Sequence, residues 1–539
     1  MTRPRLRGLG GRVAAVLLTA LTALVASTAV GATPAWAHAV LESSSPYDGQ
    51  RLALAPSEVR FTFDEAVTLP DHATSVLADT GERVDGSTGL ADGGTTVVVA
   101  LPPEVADGSY TASYRVVSAD GHVVSGSIRF GVNADPSAVA SLPASSPTSL
   151  DVVHDASQGL VYLGAVLLVG AGAAVRLLWP DAGRSRRVRG LLVAGWVALA
   201  AGTLVRLATA GPLADSAGWA GVVRLSGLDA TLREPGGLAG VARLVLLAAL
   251  LPWVGRTDRF GRVGRVLVPG LAVLLLASVA LDGHAAAGAD APIAVLATTV
   301  HLAAMSFWLG GLLVLVVSVL APASEVPPRL RRWSLLAYVA VALLVLSGEY
   351  QAWRQVQPLD ALSTTAYGQL LLVKLGLVAA ALVLAALGRR LVTRTQPLAG
   401  GRLRAGVLVE AALVLCALGV TTVLVATPPA RTTYGPAVTL AAPLHGGTAE
   451  VQVEPTRAGV QTLTIRTLGA DGTPVAATSV TAKLGSAAVA GIDVPLTRQP
   501  DGSWQGRAPV PVAGEWTVTL TVSLGSDVSY TTAATYRTW

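Results

Sequence analysis

Three residues on two short stretches carry the chemistry most worth following. His38 comes directly after Ala35-Trp36-Ala37, a small-x-small sequence of the kind that precedes signal-peptidase cleavage. A cut after Ala37 would give His38 a free α-amine beside its own imidazole. The amine nitrogen and Nδ1 of one residue then close a single chelate ring on a metal. The second stretch is Ser118-Ala119-Asp120-Gly121-His122. Asp120 and His122 stand two apart, so an extended chain points both to one side, and Gly121 lets the backbone bend between them. Two imidazoles, an amine and a carboxylate make an N3O set. Tetragonal N/O ligation without sulfur favours Cu(II). Taken alone, Asp-Gly reads as a turn and His122 as a surface residue; the conjunction with a terminal histidine turns the reading towards metal.

The elements that must position these residues differ along the chain. Residues 1–37 have Arg3, Arg5, Arg7 and Arg12, an apolar run from Val13 to about Ala29, and Pro34 before the cleavage motif, the layout of a signal peptide. Those four arginines supply most of the formal net charge of +5, so the basic balance gives no reason to expect a nucleic-acid partner. At 539 residues, 14% charged and with mean hydropathy +0.57, the chain is too apolar for a soluble enzyme and reads as a polytopic membrane protein with soluble parts. Cys416 is the single cysteine, which excludes a disulfide framework, and Met1 and Met305 are the only methionines.

Residues 38–156 hold 16 Asp and Glu against 5 Arg, and the acidic balance would raise the local concentration of cations. Alternating runs at 59–63, 95–101, 110–117 and 125–132 are separated by turn signals such as Ser45-Pro46-Tyr47-Asp48-Gly49 and Ala91-Asp92-Gly93-Gly94. This spacing predicts an all-β sandwich or barrel. His38, Ala39, Leu41, Ser44, Pro46 and Gly49, then Phe61-Thr62-Phe63-Asp64-Glu65, then Ser118, Asp120, Gly121 and His122 with Gly126 and Phe130, resemble the copper-resistance protein C (CopC) family over about 38–133. The resemblance implies a small Greek-key β-barrel. It also implies a Cu(II) site on His38 (amine and Nδ1), His122 and Asp120, with Glu65 as a further ligand in some members. Some members carry a methionine-rich Cu(I) site as well; residues 38–156 contain no methionine, which leaves the Cu(II) site alone.

Residues 134–156, rich in Ala, Ser, Pro and Asp, read as a linker to a membrane domain at 157–428. Eight apolar runs are long enough to span a bilayer: 158–179, 189–210, 236–255, 265–283, 293–320, 333–352, 368–387 and 405–426. The connections after spans one, three, five and seven carry 16 arginines and the other three connections carry 3. The positive-inside rule places the arginine-rich set in the cytoplasm and both soluble ends outside.

Polar residues within spans are the functional suspects there. His284 lies at the outer end of the fourth span; His301 lies about 12 Å into the fifth. Met305 is one turn on and shares its face; a thioether beside an imidazole suits Cu(I). Asp282-Gly283-His284-Ala285, His301 with Ala304, Trp308, Gly310 and Gly311, and Tyr367-Gly368 with Leu371 and Lys374 resemble the CopD membrane family over roughly 155–430, which implies copper-related roles for His284 and His301. Arg206, Arg243, Glu349 and Lys374 read as ion pairs that fix helix packing, and His154 as an interfacial histidine or a relay.

Residues 429–539 return to β patterning and predict an extracytoplasmic immunoglobulin-like sandwich with a docking or structural role; it resembles β-domains appended to some CopD-type transporters. The expectation for the whole chain is a CopC–CopD fusion in the plasma membrane, surrounded by membrane lipids. It would take up copper as Cu(II) and pass it on as Cu(I), with an extracytoplasmic chaperone or reductase as partner and no enzymatic activity. Three alternatives stay open: a copper store or resistance protein without flux, a copper oxidase or oxygenase, and electron transfer through a haem ligated by His284 and His301.

Overall fold

The computed structural model describes residues 39, 41–63, 65–70, 73–80, 82–118, 123–136, 148–215, 217–224, 227–255, 262–286, 290–319, 329–394, 400–487, 489, 491–510, 513–524 and 529–539. The chain divides into two compact units. One holds the helices, and the other joins residues 38–145 with 430–539.

The N-terminal β domain is a sandwich of two four-stranded sheets. The first sheet contains β1 (Leu41–Ser45), β3 (Glu58–Phe63), β5 (Thr88–Ala91) and β6 (Thr96–Ala100), in the order β1-β3-β6-β5; the second contains β2 (Gln50–Leu52), β4 (Thr74–Ala78), β7 (Gly108–Val117) and β8 (Val123–Val132), in the order β2-β8-β7-β4. Strict alternation builds the core. Val59, Phe61 and Phe63 of β3 point inward, and Phe61 and Phe63 pack on Tyr114 of β7 with ring centroids 4.9 and 5.2 Å away. Each such fully buried side chain contributes about 1.5–3 kcal/mol. A side chain at Gly126 of β8 would overlap the Tyr114 hydroxyl, which accounts for glycine at that position. Burial also pushes the Tyr114 phenol up to about 12.

In the helical unit, α1 (Ser149–Leu177) begins inside the stretch expected to be linker. Thr148 caps it through a reciprocal capping box with Asp151. It is followed by α2 (Arg186–Ala214), α3 (Pro235–Leu250), α4 (Arg262–Ala280), α5 (Ala291–Val314), α6 (Leu330–Gln355), α7 (Ala366–Arg394) and α8 (Gly400–Val425). Among the described residues seven helices are long and apolar enough to cross a membrane; Gly264–Ala280 within α4 is a shorter apolar helix at the position of the fourth expected span.

Close backbone contact fixes α5, the helix that carries His301 and Met305. Gly170 lies in a π turn of α1, Val166–Gly170, and a side chain there would collide with the Ser306 carbonyl. Small residues at such a crossing let two helices approach and gain dispersion contacts. Arg243 of α3 is fully buried and donates to Asp282 at 3.1 Å and to the Ser278 carbonyl at 2.8 Å. Arg206 of α2 lies 3.4 Å from the same carboxylate, so one anion ties three helices together, as expected of a buried charge that is paired. No ion pair joins Glu349 to Lys374 among the described residues.

The C-terminal β domain also has two sheets. Strands β9 (Val438–Leu444), β10 (Gly447–Glu454), β11 (Gly459–Gly469), β14 (Leu496–Arg498) and β15 (Trp504–Val510) form one, in the order β14-β15-β11-β10-β9. Strands β12 (Ser479–Gly485), β13 (Ile492–Val494), β16 (Gly514–Ser523) and β17 (Ser529–Thr538) form the other, in the order β13-β12-β16-β17. Trp516 sits at the centre of their shared core with Val451, Ile465, Val518 and Leu520. The polar side chain of Gln461 is fully buried but satisfied: it accepts from the Tyr536 hydroxyl at 2.6 Å and donates to the Arg457 carbonyl at 2.9 Å. Within this unit β1 lies against β11 and β15, so the two β domains touch along the strand that follows His38.

Candidate metal centres

His38, Asp120 and His122 lie outside the described residues; the residues that lead into them are described. Ala39 is 3% exposed, and its N–H donates to Ser118 Oγ at 3.1 Å. The Ser118 hydroxyl in turn donates to the Glu65 carboxylate. Ser118 ends the described part of β7 and its extension, and Val117 pairs with Val123 across the β7–β8 hairpin. A bridge from Thr68 to Val117 holds the same strand end from the other side. Three segments far apart in sequence, at 39, 65 and 118, therefore meet through one hydroxyl. Of the expected ligands outside the membrane unit, Glu65 alone is described, and one of its oxygens accepts from Ser118.

Inside the helical unit the expected residues separate. His284 opens a 3-10 turn, His284–Ala286, after Gly283. Its neighbour Ala285 packs with Ala294 of α5 and Tyr350 of α6, which places the turn beside the start of α5 and the end of α6. Asp282-Gly283-His284 repeats the residue order of Asp120-Gly121-His122, but Asp282 is occupied by Arg206 and Arg243. Two guanidinium groups on one carboxylate leave it poorly suited to bind a cation. Asp290 is also committed, accepting from Tyr350 at 2.6 Å and Arg354 at 2.9 Å, and so clamps the start of α5 to α6.

His301 is held differently. Its Nδ1 lies 3.0 Å from Ser347 Oγ of α6. The Ser347 hydroxyl gives its one proton to the Leu343 carbonyl at 2.5 Å, so it accepts from the imidazole. Nδ1 therefore carries the proton and Nε2 keeps its lone pair, the arrangement in which a hydroxyl orients a ligating histidine. The α6 backbone comes close at Gly348, where a Cβ would stand 3.2 Å from His301 Cε1. Met305 is half-buried against the helix core one turn along. His154 is oriented in the same way, with Nδ1 2.8 Å from a Thr209 hydroxyl that donates to the Val205 carbonyl.

Trp308 was read from sequence as part of a motif, but its partner Glu410 was not singled out. Trp308 Nε1 donates to Glu410 Oε1 at 3.1 Å, and the two are 3% and 7% exposed. The signal was present as one carboxylate in the last apolar run, but a hydropathy average over about 20 residues conceals one acid. Among the described residues no group of three or more His, Cys, Asp or Glu forms a ready metal cluster.

Two family models match separate parts of the chain. Residues 41–133 match the CopC domain family, and residues 327–424 match the family described as Copper resistance protein D. The chain is 31% identical over 379 residues to the Copper transport protein CutJ of Bacillus subtilis (strain 168), which covers 67% of this chain and 69% of that protein. Among solved structures, CopC from Methylosinus trichosporium OB3b is 34% identical and matches 19% of this chain and 100% of its own, with a TM-score of 0.17. PcoC, a methionine-rich copper resistance protein from Escherichia coli, is 22% identical and matches 18% of this chain and 99% of its own, with a TM-score of 0.16. The chain belongs to the CopC–CopD family of copper transport and resistance proteins, with a CopC domain followed by a CopD domain.

Proposed function

We propose that the protein captures Cu(II) outside the cell and carries copper inward across the plasma membrane. The amine and Nδ1 of His38, the imidazole of His122 and the carboxylate of Asp120 hold the ion, and Glu65 orients the site through Ser118. Copper then passes to the membrane unit by way of His284, His301 and Met305. A thioether site requires Cu(I), so one electron is supplied on the way by an extracytoplasmic donor.

The observation that carries this reading is the bond from the Ala39 N–H to Ser118 Oγ. Ala39 follows His38 directly, and Ser118 precedes Asp120 by two residues. Consecutive Cα atoms are about 3.8 Å apart, so the bond keeps the chain beside one ligand within reach of the chain beside the others. The His301 tautomer supports the second half: a bare Nε2 lone pair deep in an apolar helix is a ligand without a proton to lose. Eight spans with the arginine-rich connections in the cytoplasm would put the CopC domain outside. The C-terminal β domain, seated on β1, would then buttress the strand next to His38.

N-terminal sequencing of the mature protein, combined with Cu(II) titration, tests the capture step. A chain starting at His38 that loses affinity at least a hundredfold on His38→Ala is expected. A start elsewhere, or unchanged affinity in the variant, removes the amine–imidazole chelate.

A further inference from the structure

On α5, His301, Met305 and Trp308 stand at i, i+4 and i+7 and fall within an arc of about 60°. They form one stripe that descends the helix, and Trp308 lies about 10 Å beyond His301 along the axis. Trp308 packs in the apolar core of the unit, and its indole N–H reaches Glu410 of α8, which accepts at 3.1 Å and is 7% exposed. Measured along the helices, Trp308 is about 22 Å from the outer end of its apolar run and Glu410 about 8 Å from the inner end of its own. The two depths meet within a hydrocarbon core of about 30 Å.

An indole N–H donates a hydrogen bond but carries no charge. Among the described residues Glu410 has no cationic partner, unlike Asp282, which has two arginines, and Asp290, which has one. Placing an uncompensated carboxylate inside a helical bundle is costly, and such groups mark ion pathways. We infer that Glu410, through its carboxylate rather than through its bond to Trp308, is the inner cation station of the copper path, below His301 and Met305. This rests on the transport reading above. A carboxylate is a poorer ligand for Cu(I) than an imidazole or a thioether, and a weaker site on the inner side is what release requires. The pair also joins α5 to α8, so the test must separate charge from the hydrogen bond.

Glu410→Gln separates them, because the amide keeps the volume and the carbonyl acceptor for Trp308 and removes only the charge. The readouts are copper uptake by proteoliposomes of the full chain, Cu(II) loading of the N-terminal domain, and thermal stability in detergent. The expected result is wild-type Cu(II) loading, a melting temperature within a few degrees of wild type, and uptake at least tenfold lower. Uptake within twofold of wild type overturns the inference and leaves the transport reading intact, whereas a wild-type protein that moves no copper overturns both. Should the glutamine variant not fold, Trp308→Phe decides, since it deletes the hydrogen bond and keeps the carboxylate. Uptake retained within threefold supports the station, and uptake abolished in a folded Trp308→Phe protein shows that the bond alone mattered.

Discussion

Ser347 accepts a hydrogen bond from His301 across the α5–α6 contact while its own proton is held by Leu343. One hydroxyl thereby decides which imidazole nitrogen presents a lone pair. Ser347→Ala removes the acceptor and frees the ring to change tautomer and orientation. Loss of such an orienting partner typically costs about 10–100-fold in metal affinity. Cu(I) binding by the full chain in detergent should weaken by about tenfold or more in its membrane-site component, with Cu(II) binding at the N-terminal domain unchanged. Unaltered Cu(I) binding would mean that His301 ligates nothing.

Ser118→Ala acts on the other centre. It leaves the buried Ala39 N–H without its acceptor and removes the Ser118 donor from the Glu65 carboxylate. An orphaned buried donor costs about 1–3 kcal/mol, so the N-terminal domain should unfold at lower denaturant concentration. Cu(II) affinity should fall at least tenfold, because the chain beside His38 is no longer tied to the chain beside Asp120. A destabilised domain with full affinity would show that the tie serves folding only.

The patterning of β3 was legible because Val59, Phe61 and Phe63 alternate with polar residues and all face one core. Strand β1 was not, since Leu-Glu-Ser-Ser-Ser has no hydrophobic period and is held by its register with β3. The same limit applied in the helices. Arg206 and Arg243 stood out as embedded charges, yet Asp282 could not be named as their common partner because it belongs to a different segment and only packing unites them. Thr148 and Asp151 form a readable capping box, but the surrounding Ala, Ser and Pro residues masked it as linker. At the candidate sites, the residue types that bind copper were visible in sequence. Ser347 was not, because it is an ordinary serine until the fold brings it to His301; Ser118 was named with its stretch, but its bond to the Ala39 N–H joins segments that only the fold unites.

The capture site should also respond to pH in a way that reports its amine. Metal binding needs deprotonated ligands, and an α-amine titrates near about 7.7–8.0 whereas imidazole titrates near about 6.5. Protons compete with Cu(II), so affinity falls as pH falls. It should decline already between pH of about 8 and 7 through the amine and more steeply below about 6.5 through the imidazoles. A chain whose His38 amine is acetylated should lose the first of these declines and keep the second. Competition titrations at several pH values distinguish the two, and identical profiles would exclude the terminal amine as a ligand.

The most direct test of copper import is the time course of copper accumulation by sealed vesicles carrying the full chain with its β domains outward, supplied with Cu(II) and an external reductant. Saturable accumulation is expected, reduced at least tenfold by His38→Ala at low copper and by His301→Ala at every copper concentration. Tight Cu(II) binding with accumulation no greater than in empty vesicles would contradict import and leave a protein that holds copper without moving it.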